Sequence, residues 1–127
     1  MIIRGTTPNH IFHIPFSISS VTDAYITYKQ DGRVVIDKAL KDLSVDLDNN
    51  TLSLQLTQDN TMGFCFNHKY RDNIVTIQIK LVFKNNIICL SRPIRDKILD
   101  QVRDSQVIVD PSAASLGETV IFDGKVN

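Results

Sequence analysis

The feature that most constrains the fold is a long alternating stretch from Asn73 to Lys84, with the sequence NIVTIQIKLVFK. Apolar and polar residues take turns along most of it and β-branched residues are frequent, a pattern typical of a β-strand with one buried face. Its length favours a place in the middle of a sheet. The segment Lys84-Asn85-Asn86 predicts a turn because asparagine tolerates positive φ, and Ile87 to Leu90 then begins a return strand.

Two further hairpins are predicted upstream of this strand. Asp31-Gly32 separates a strand over 24–30 from one over 33–38, and this residue pair is a strong signal for a two-residue turn. Alternating apolar residues predict a second hairpin on either side of Asp48-Asn49-Asn50. After it, Thr57 is expected to cap a short helix that runs to about Phe64, since its hydroxyl can accept hydrogen bonds from first-turn amides.

The segment after Leu90 admits two interpretations. Ile94, Ile98, Leu99 and Val102 have helical spacing, whereas Ile94 and Ile98 also fit a continuing strand. We expect a strand up to about Ile94 and a helical turn after it.

Short strands at hairpin spacing, with little helix, predict an all-β fold, namely an antiparallel β-sandwich of immunoglobulin-like type. Each one-sided strand buries its apolar face only when a second sheet covers it. The predicted organisation is an extended amino-terminal arm (1–9), a β-sandwich domain (10–103) and an extended carboxy-terminal tail (104–127). A chain of 127 residues is long enough for one such core.

Charge and hydropathy argue against several classes of partner. Lys plus Arg and Asp plus Glu are balanced at 14 each, so no net field favours nucleic acid or an anionic membrane. No apolar run reaches membrane-spanning length, and no secretory signal is visible in the first residues. We therefore expect neither a nucleic-acid partner nor a membrane partner.

The residues that could carry chemistry do not form a recognisable site. His10 and His13 are three positions apart, which places them on opposite faces of a strand, and both are interpreted as surface histidines. Cys65 and Cys89 could pair, but they are more simply buried free thiols among apolar neighbours. Cys65 with His68 lacks the third group that would orient a nucleophile.

Acidic and glycine-rich metal or nucleotide motifs are missing as well. The turn aspartates Asp46, Asp48 and Asp59 do not have calcium-loop spacing, and no phosphate-binding glycine pattern is present. We predict no catalytic residue, no cofactor and no metal, and we do not expect an enzyme.

The carboxy-terminal tail carries the candidate interaction residues. Two short apolar runs flank a Pro/Ser/Ala/Gly linker and have no obvious place in the core. Such runs can add as strands to a sheet edge of another chain, where main-chain hydrogen bonds supply affinity. The alternative is that they fold back as the last strands of their own sandwich. The predicted partner-contacting residues are Val107, Ile108, Val109, Val120, Ile121 and Phe122.

Three stretches, IIRGTTPNHIFHIPF, ITYKQDGRVVIDKAL and LSLQLTQDNTMGF, resemble a family of small proteins encoded in phage and prophage genomes of gut bacteria. The chain is also loosely similar to the amino-terminal domain of phage baseplate upper proteins, a β-sandwich used in tail assembly. It departs from the family pattern at Asn60, where a carboxylate is expected in the capping turn, and in a longer tail after Asp104.

The resemblance implies a non-enzymatic virion structural or assembly protein, associated with the capsid or with the tail and baseplate, that acts through protein–protein contacts. Its partners would be other virion proteins or copies of itself in a homo-oligomeric assembly, engaged by the arm and the tail. It would be made in the bacterial host cytoplasm, without a signal peptide, and located in the virion.

Two other functions stay open from the sequence. The first alternative is a recognition module that binds a host surface glycan or protein through its loops. Only Tyr25, Tyr28 and Tyr70 could serve as tyrosine platforms for a glycan. A weaker alternative is a host-directed intracellular inhibitor.

Overall fold

A computed structural model describes residues 1–67, residues 73–100 and the strand Thr119–Ile121. Within these residues, the helical elements are a 3₁₀ turn, Leu40–Asp42, and the helix α1, Gln58–Met62. The strands in chain order are β1 (Ile2–Ile3), β2 (Asn9–His13), β3 (Val21–Gln30), β4 (Arg33–Ala39), β5 (Ser44–Asp46), β6 (Thr51–Gln55), β7 (Ile74–Phe83), β8 (Ile88–Leu90), β9 (Ile94–Leu99) and β10 (Thr119–Ile121).

The strands form two sheets. The first has the order β1–β9–β7–β3–β4, with β8 also paired to β7, and the second has the order β10–β2–β6–β5. Among the described strands, β1–β9 and β10–β2 are parallel pairs and the other pairs are antiparallel. The apolar faces of both sheets contribute to one core that includes Phe12, Ile26, Leu54 and Ile79. The predicted all-β sandwich is confirmed.

The strand order is that of an immunoglobulin domain. In that fold, strands B, E and D share one sheet, strands C, F and G share the other, and variable-type domains add C′ beside C. Here β2, β6 and β5 take the places of B, E and D, while β3, β4 and β7 take those of C, C′ and F. The place of G is shared by β8 and β9. The predicted immunoglobulin-like type is therefore also confirmed, and β10 occupies the place of strand A beside B.

The predicted central strand is β7, which lies between β3 and β9 in the first sheet. Val75, Ile77, Ile79 and Leu81 are fully buried, and the residues between them face outward with partial or full exposure. The alternation in the sequence therefore predicts correctly which residues of β7 face the core and which face outward.

The turns also have the predicted conformations. Asp31 and Gly32, between β3 and β4, have φ angles of 53° and 76°, and positive φ at both central positions is the mark of the hairpin turn that an Asp-Gly pair favours. Asn86 in the turn after β7 has a φ of 62°.

Helix α1 begins at the predicted cap. The amide of Asn60 donates to Thr57 Oγ1 at 3.1 Å, and the amide of Thr57 donates to Asn60 Oδ1 at 2.9 Å. This reciprocal pair is a capping box, so Asn60 performs the role for which a carboxylate is expected. The helix ends at Met62, and Phe64 beyond it is buried in the core.

The predicted helical turn after Ile94 is wrong, because β9 is a strand over Ile94–Leu99, between β1 and β7. Ile94, Asp96 and Ile98 lie on its more buried side, whereas the residues between them are exposed. Asp96 thus interrupts the apolar alternation on the more buried side of β9. This is the physical reason that the sequence signal for a strand is weak here.

The segment 1–9 lies against its own domain, which differs from the predicted extended arm. Ile2 in β1 is fully buried. The amide of Gly5 donates to Thr61 Oγ1 at 3.0 Å, and that hydroxyl lies 2.8 Å from the carbonyl of Thr6, to which it donates. Two adjacent apolar residues are too few to show a period, so the sequence contains little signal for β1.

Candidate protein–protein interface

The first candidate surface is the side of β2 that β10 covers. On its other side β2 pairs with β6 in antiparallel register. β10 runs parallel to β2, with Thr119 opposite Ile11, Val120 opposite Phe12 and Ile121 opposite His13. We call this side of Asn9–His13 the β2 edge.

The predicted contact residues are only partly within the described chain. Val120 and Ile121 lie in β10. Val107, Ile108, Val109 and Phe122 lie outside the described residues. The structure pairs the second tail run with β2 of the same chain, which is the arrangement that the sequence leaves open as an alternative.

The second candidate surface is the end of the sandwich that carries the connections β2–β3 (14–20), β5–β6 (47–50) and β7–β8 (84–87). The first and third are joined directly, since the amide of Lys84 donates to the carbonyl of Ser20 at 3.1 Å. The corresponding B–C and F–G loops of variable-type immunoglobulin domains are recognition loops. We call this surface the loop end.

The loop end is apolar for an exposed surface. Phe16, Phe83 and Ile87 line a cleft of about 520 Å³, and the two phenylalanine ring centroids are 5.9 Å apart. Ile87, which lines this cleft, is 50% exposed, and Leu47, in the β5–β6 connection of the same end, is 58% exposed. Clustered exposed apolar residues are typical of contact surfaces. The available sequence signal is that Ile87, an apolar residue, directly follows the predicted turn over 84–86.

A polar pair is buried in the core below the β2 edge. His10 is fully buried, and its Nδ1 lies 2.6 Å from Tyr28 Oη. Within the described residues, His10 Nε2 has no hydrogen-bond partner. Burial lowers the pKa of His10 to about 4, against an opposing influence of the Asp96 carboxylate. Burial also raises the pKa of Tyr28, so both side chains are neutral at neutral pH.

The interpretation of His10 as a surface residue is therefore wrong. The predicted opposite faces are correct, since His13 is exposed. His10 shares its face with Phe12, two positions along the strand, and Phe12 is fully buried. The period of two thus contained the signal for burial of His10.

The cysteines are free, as predicted, but only Cys89 is buried, whereas Cys65 is exposed. The side chain of Gln30 fixes the backbone of Cys65, because Nε2 donates to its carbonyl and Oε1 accepts from its amide, both at 2.7 Å. Arg33 Nη2 lies 3.6 Å from the sulfur. His68, which the sequence suggests as a neighbour of Cys65, lies outside the described residues.

We expect a thiol reagent to modify one cysteine of the folded protein quickly and the other only after unfolding, because Cys65 is exposed and Cys89 is buried. Titration of the variants Cys65→Ser and Cys89→Ser assigns the two reactions. Cys65→Ser should remove the fast reaction and Cys89→Ser the slow one. Two fast thiols in the native protein would contradict this placement.

Asp46, one of the turn aspartates considered from the sequence, has a structural role. Asp46 accepts hydrogen bonds from the side chain and the amide of Asn49, which hold its pKa below the usual value, as expected for a turn residue.

Among the described residues, no group of three or more His, Cys, Asp or Glu is placed to hold a metal ion. No helix in the described part of the chain is long and apolar enough to cross a membrane.

Comparison with known proteins gives one likeness. No protein-family model and no curated protein matches the sequence. Among solved structures, the chain is similar to the V domain of amphioxus IgVJ-C2, with 13% sequence identity, coverage of 79% of this chain and 97% of that domain, and a TM-score of 0.33. The strand order defines the immunoglobulin-like fold of this chain.

Proposed function

We propose that the chain is a non-enzymatic structural or assembly protein that acts through protein–protein contacts, with copies of itself among its partners. The observation that carries the proposal is the β2 edge, which is completed by a three-residue strand from near the far end of the sequence. A strand edge presents backbone N–H and C=O groups that pair with another strand. Strand addition at such an edge is a common mode of protein recognition.

The sequence resemblance supports a finer form of this proposal. In that form the assembly is a phage virion, the chain is part of the capsid or of the tail and baseplate, and other virion proteins are further partners. An immunoglobulin-like sandwich serves many functions. The resemblance, and not the fold, supports the virion role.

A second candidate function is recognition of another protein through the loop end, and its exposed apolar residues favour that possibility. A glycan is less well supported. Tyr28 is fully buried, and the hydroxyl of Tyr25 donates to Asp23 at 2.6 Å on the face of the sheet. Tyr70 lies outside the described residues. Tyr25 and Tyr28 therefore offer no aromatic platform at the loop end.

The proposed function is tested by sedimentation velocity of the full-length chain over a range of concentrations. We expect oligomers whose population rises with concentration, since self-association obeys mass action. The double variant Ile87→Ser, Ile88→Ser should associate equally well, because both residues belong to the β7–β8 hairpin of the first sheet, whereas the contact that we propose runs along β2 in the second. A chain that stays monomeric throughout would overturn self-assembly, and loss of association in the double variant would place the interface at the loop end.

A further inference from the structure

The strand beside β2 comes from an unusual part of the chain. In an immunoglobulin sandwich, strand A precedes B in sequence and pairs beside it. Here the residues before β2 contribute β1, which pairs with β9 in the other sheet. The place of A is filled by Thr119–Ile121, which begins 20 positions after the end of β9. The β2 edge is thus closed by a segment that is distant in sequence.

The intervening sequence is long enough to allow more than one arrangement. Residues 101–118 separate the last described residue of the sandwich from β10, and 18 residues of extended chain span up to about 60 Å. Neighbouring strands in a sheet are only about 5 Å apart. The connection therefore does not by itself require that β10 pairs with β2 of its own chain.

The pairing itself is small. β10 and β2 meet over three residue pairs, whereas β2 and β6 meet over five. Segments with few backbone hydrogen bonds open at low free-energy cost. A strand from a second copy would make the same backbone hydrogen bonds as the strand of the same chain. Pairing within the chain and pairing between copies therefore compete. The outcome depends on the concentration of the second copy relative to the effective concentration of β10 that the connection sets.

We propose that Thr119–Ile121 of one copy adds beside β2 of a second copy, in the parallel register seen within the chain, and that this strand exchange joins copies in the assembly. The inference rests on the proposed assembly function and names its contact. His10 and Phe12 of β2 are fully buried, so the core holds this strand in place. Its edge therefore presents fixed backbone N–H and C=O groups to the neighbouring strand, whichever chain supplies that strand.

The test is a cross-link between two full-length chains that carry different tags and the background substitutions Cys65→Ser and Cys89→Ser. One chain carries His13→Cys and the other Ile121→Cys, at positions that are opposite each other in the parallel register. Adjacent strands fall within the Cα separation that a disulfide needs, and His13 is exposed, so its substitution should not disturb the core. After mixing and oxidation we expect a disulfide-linked pair of differently tagged chains.

A matched control replaces His13→Cys with Lys29→Cys, which is exposed on β3 in the other sheet. This control should give no cross-link with the Ile121→Cys chain. If the chains form oligomers but a cross-link appears only within a chain that carries both His13→Cys and Ile121→Cys, strand exchange is overturned while the assembly function stands. If no oligomer forms at any concentration, the assembly function itself fails.

A second measurement does not depend on cysteine. The double variant Thr119→Pro, Val120→Pro removes two consecutive amides of β10. Since the amides of successive strand residues point to opposite sides, one of the two faces β2, and proline there removes a hydrogen bond of the ladder. Val120→Thr keeps both amides and a β-branched side chain. We expect the proline variant to shift the oligomers to monomers and the threonine variant to leave them intact. Equal association of both variants would overturn the exchange.

Discussion

Replacing Ile79 with aspartate should leave no folded, soluble protein. Ile79 is fully buried at the centre of β7 and lies opposite Ile26 of β3. An unpaired carboxylate at this position costs several kcal/mol, and a domain of this size has a total stability of roughly 5–15 kcal/mol. Soluble yield and urea denaturation of the purified variant measure the loss.

The matched control is Thr76→Asp on the outer face of the same strand. Thr76 is opposite Lys29 on β3 and opposite Arg95 on β9, so the new carboxylate lies between two cations and in contact with water. We expect a change of about 1 kcal/mol or less. Ile79→Val, which removes one buried methylene, should cost about 1 kcal/mol and remain folded. Similar losses for both aspartate variants would show that the faces of β7 are assigned incorrectly.

Acid should destabilise the fold well before the carboxylates titrate, because of His10. The pKa of His10 is about 4 in the folded chain against 6.5 for the free side chain. The unfolded state therefore binds a proton first as the pH falls. Stability is highest above about pH 6.5 and decreases down to about pH 4, with a total loss of about 3 kcal/mol from this group.

Urea denaturation at about pH 7 and at about pH 5 measures this effect, and roughly 2 kcal/mol of the loss should be present at the lower pH. His10→Gln keeps a hydrogen-bonding side chain near Tyr28 but cannot titrate, so its stability should change little between these conditions. His13→Gln is the control on the same strand, and because His13 is exposed it should retain the wild-type pH dependence. A His10→Gln variant that is as acid-sensitive as the wild type would exclude His10 as the cause.

The parts of the fold that the sequence predicts correctly are local. β7 shows a period of two along most of its length, Asp31-Gly32 sets a turn by its own backbone preference, and Thr57 satisfies a helix end three residues away. Each of these structures is determined by residues that are close together in sequence. These local signals are sufficient to predict the sandwich fold and most of the hairpins.

The parts that the sequence does not predict depend on residues far apart. Asp96 on the inner side of β9 and His10 beside Phe12 are polar residues at buried or half-buried positions, and a pattern of apolar residues does not identify them. The candidate interface also depends on residues far apart in sequence. The apolar run at Val120–Ile121 is visible in the sequence, but its pairing with β2 is a long-range contact that no local pattern specifies.

The parallel pairing of β1 with β9 also has a consequence for synthesis on the ribosome. Ile2 pairs with Ile98, and Arg4 donates a hydrogen bond to Asp100, 96 positions further on. β1 therefore finds its place only after β9, nearly a hundred residues later, has been translated, and contacts of such large separation slow folding. A nascent chain that stops before β9 exposes the apolar residues of β1 and leaves β7 without one neighbour, so an early stop removes two strands from the sheet.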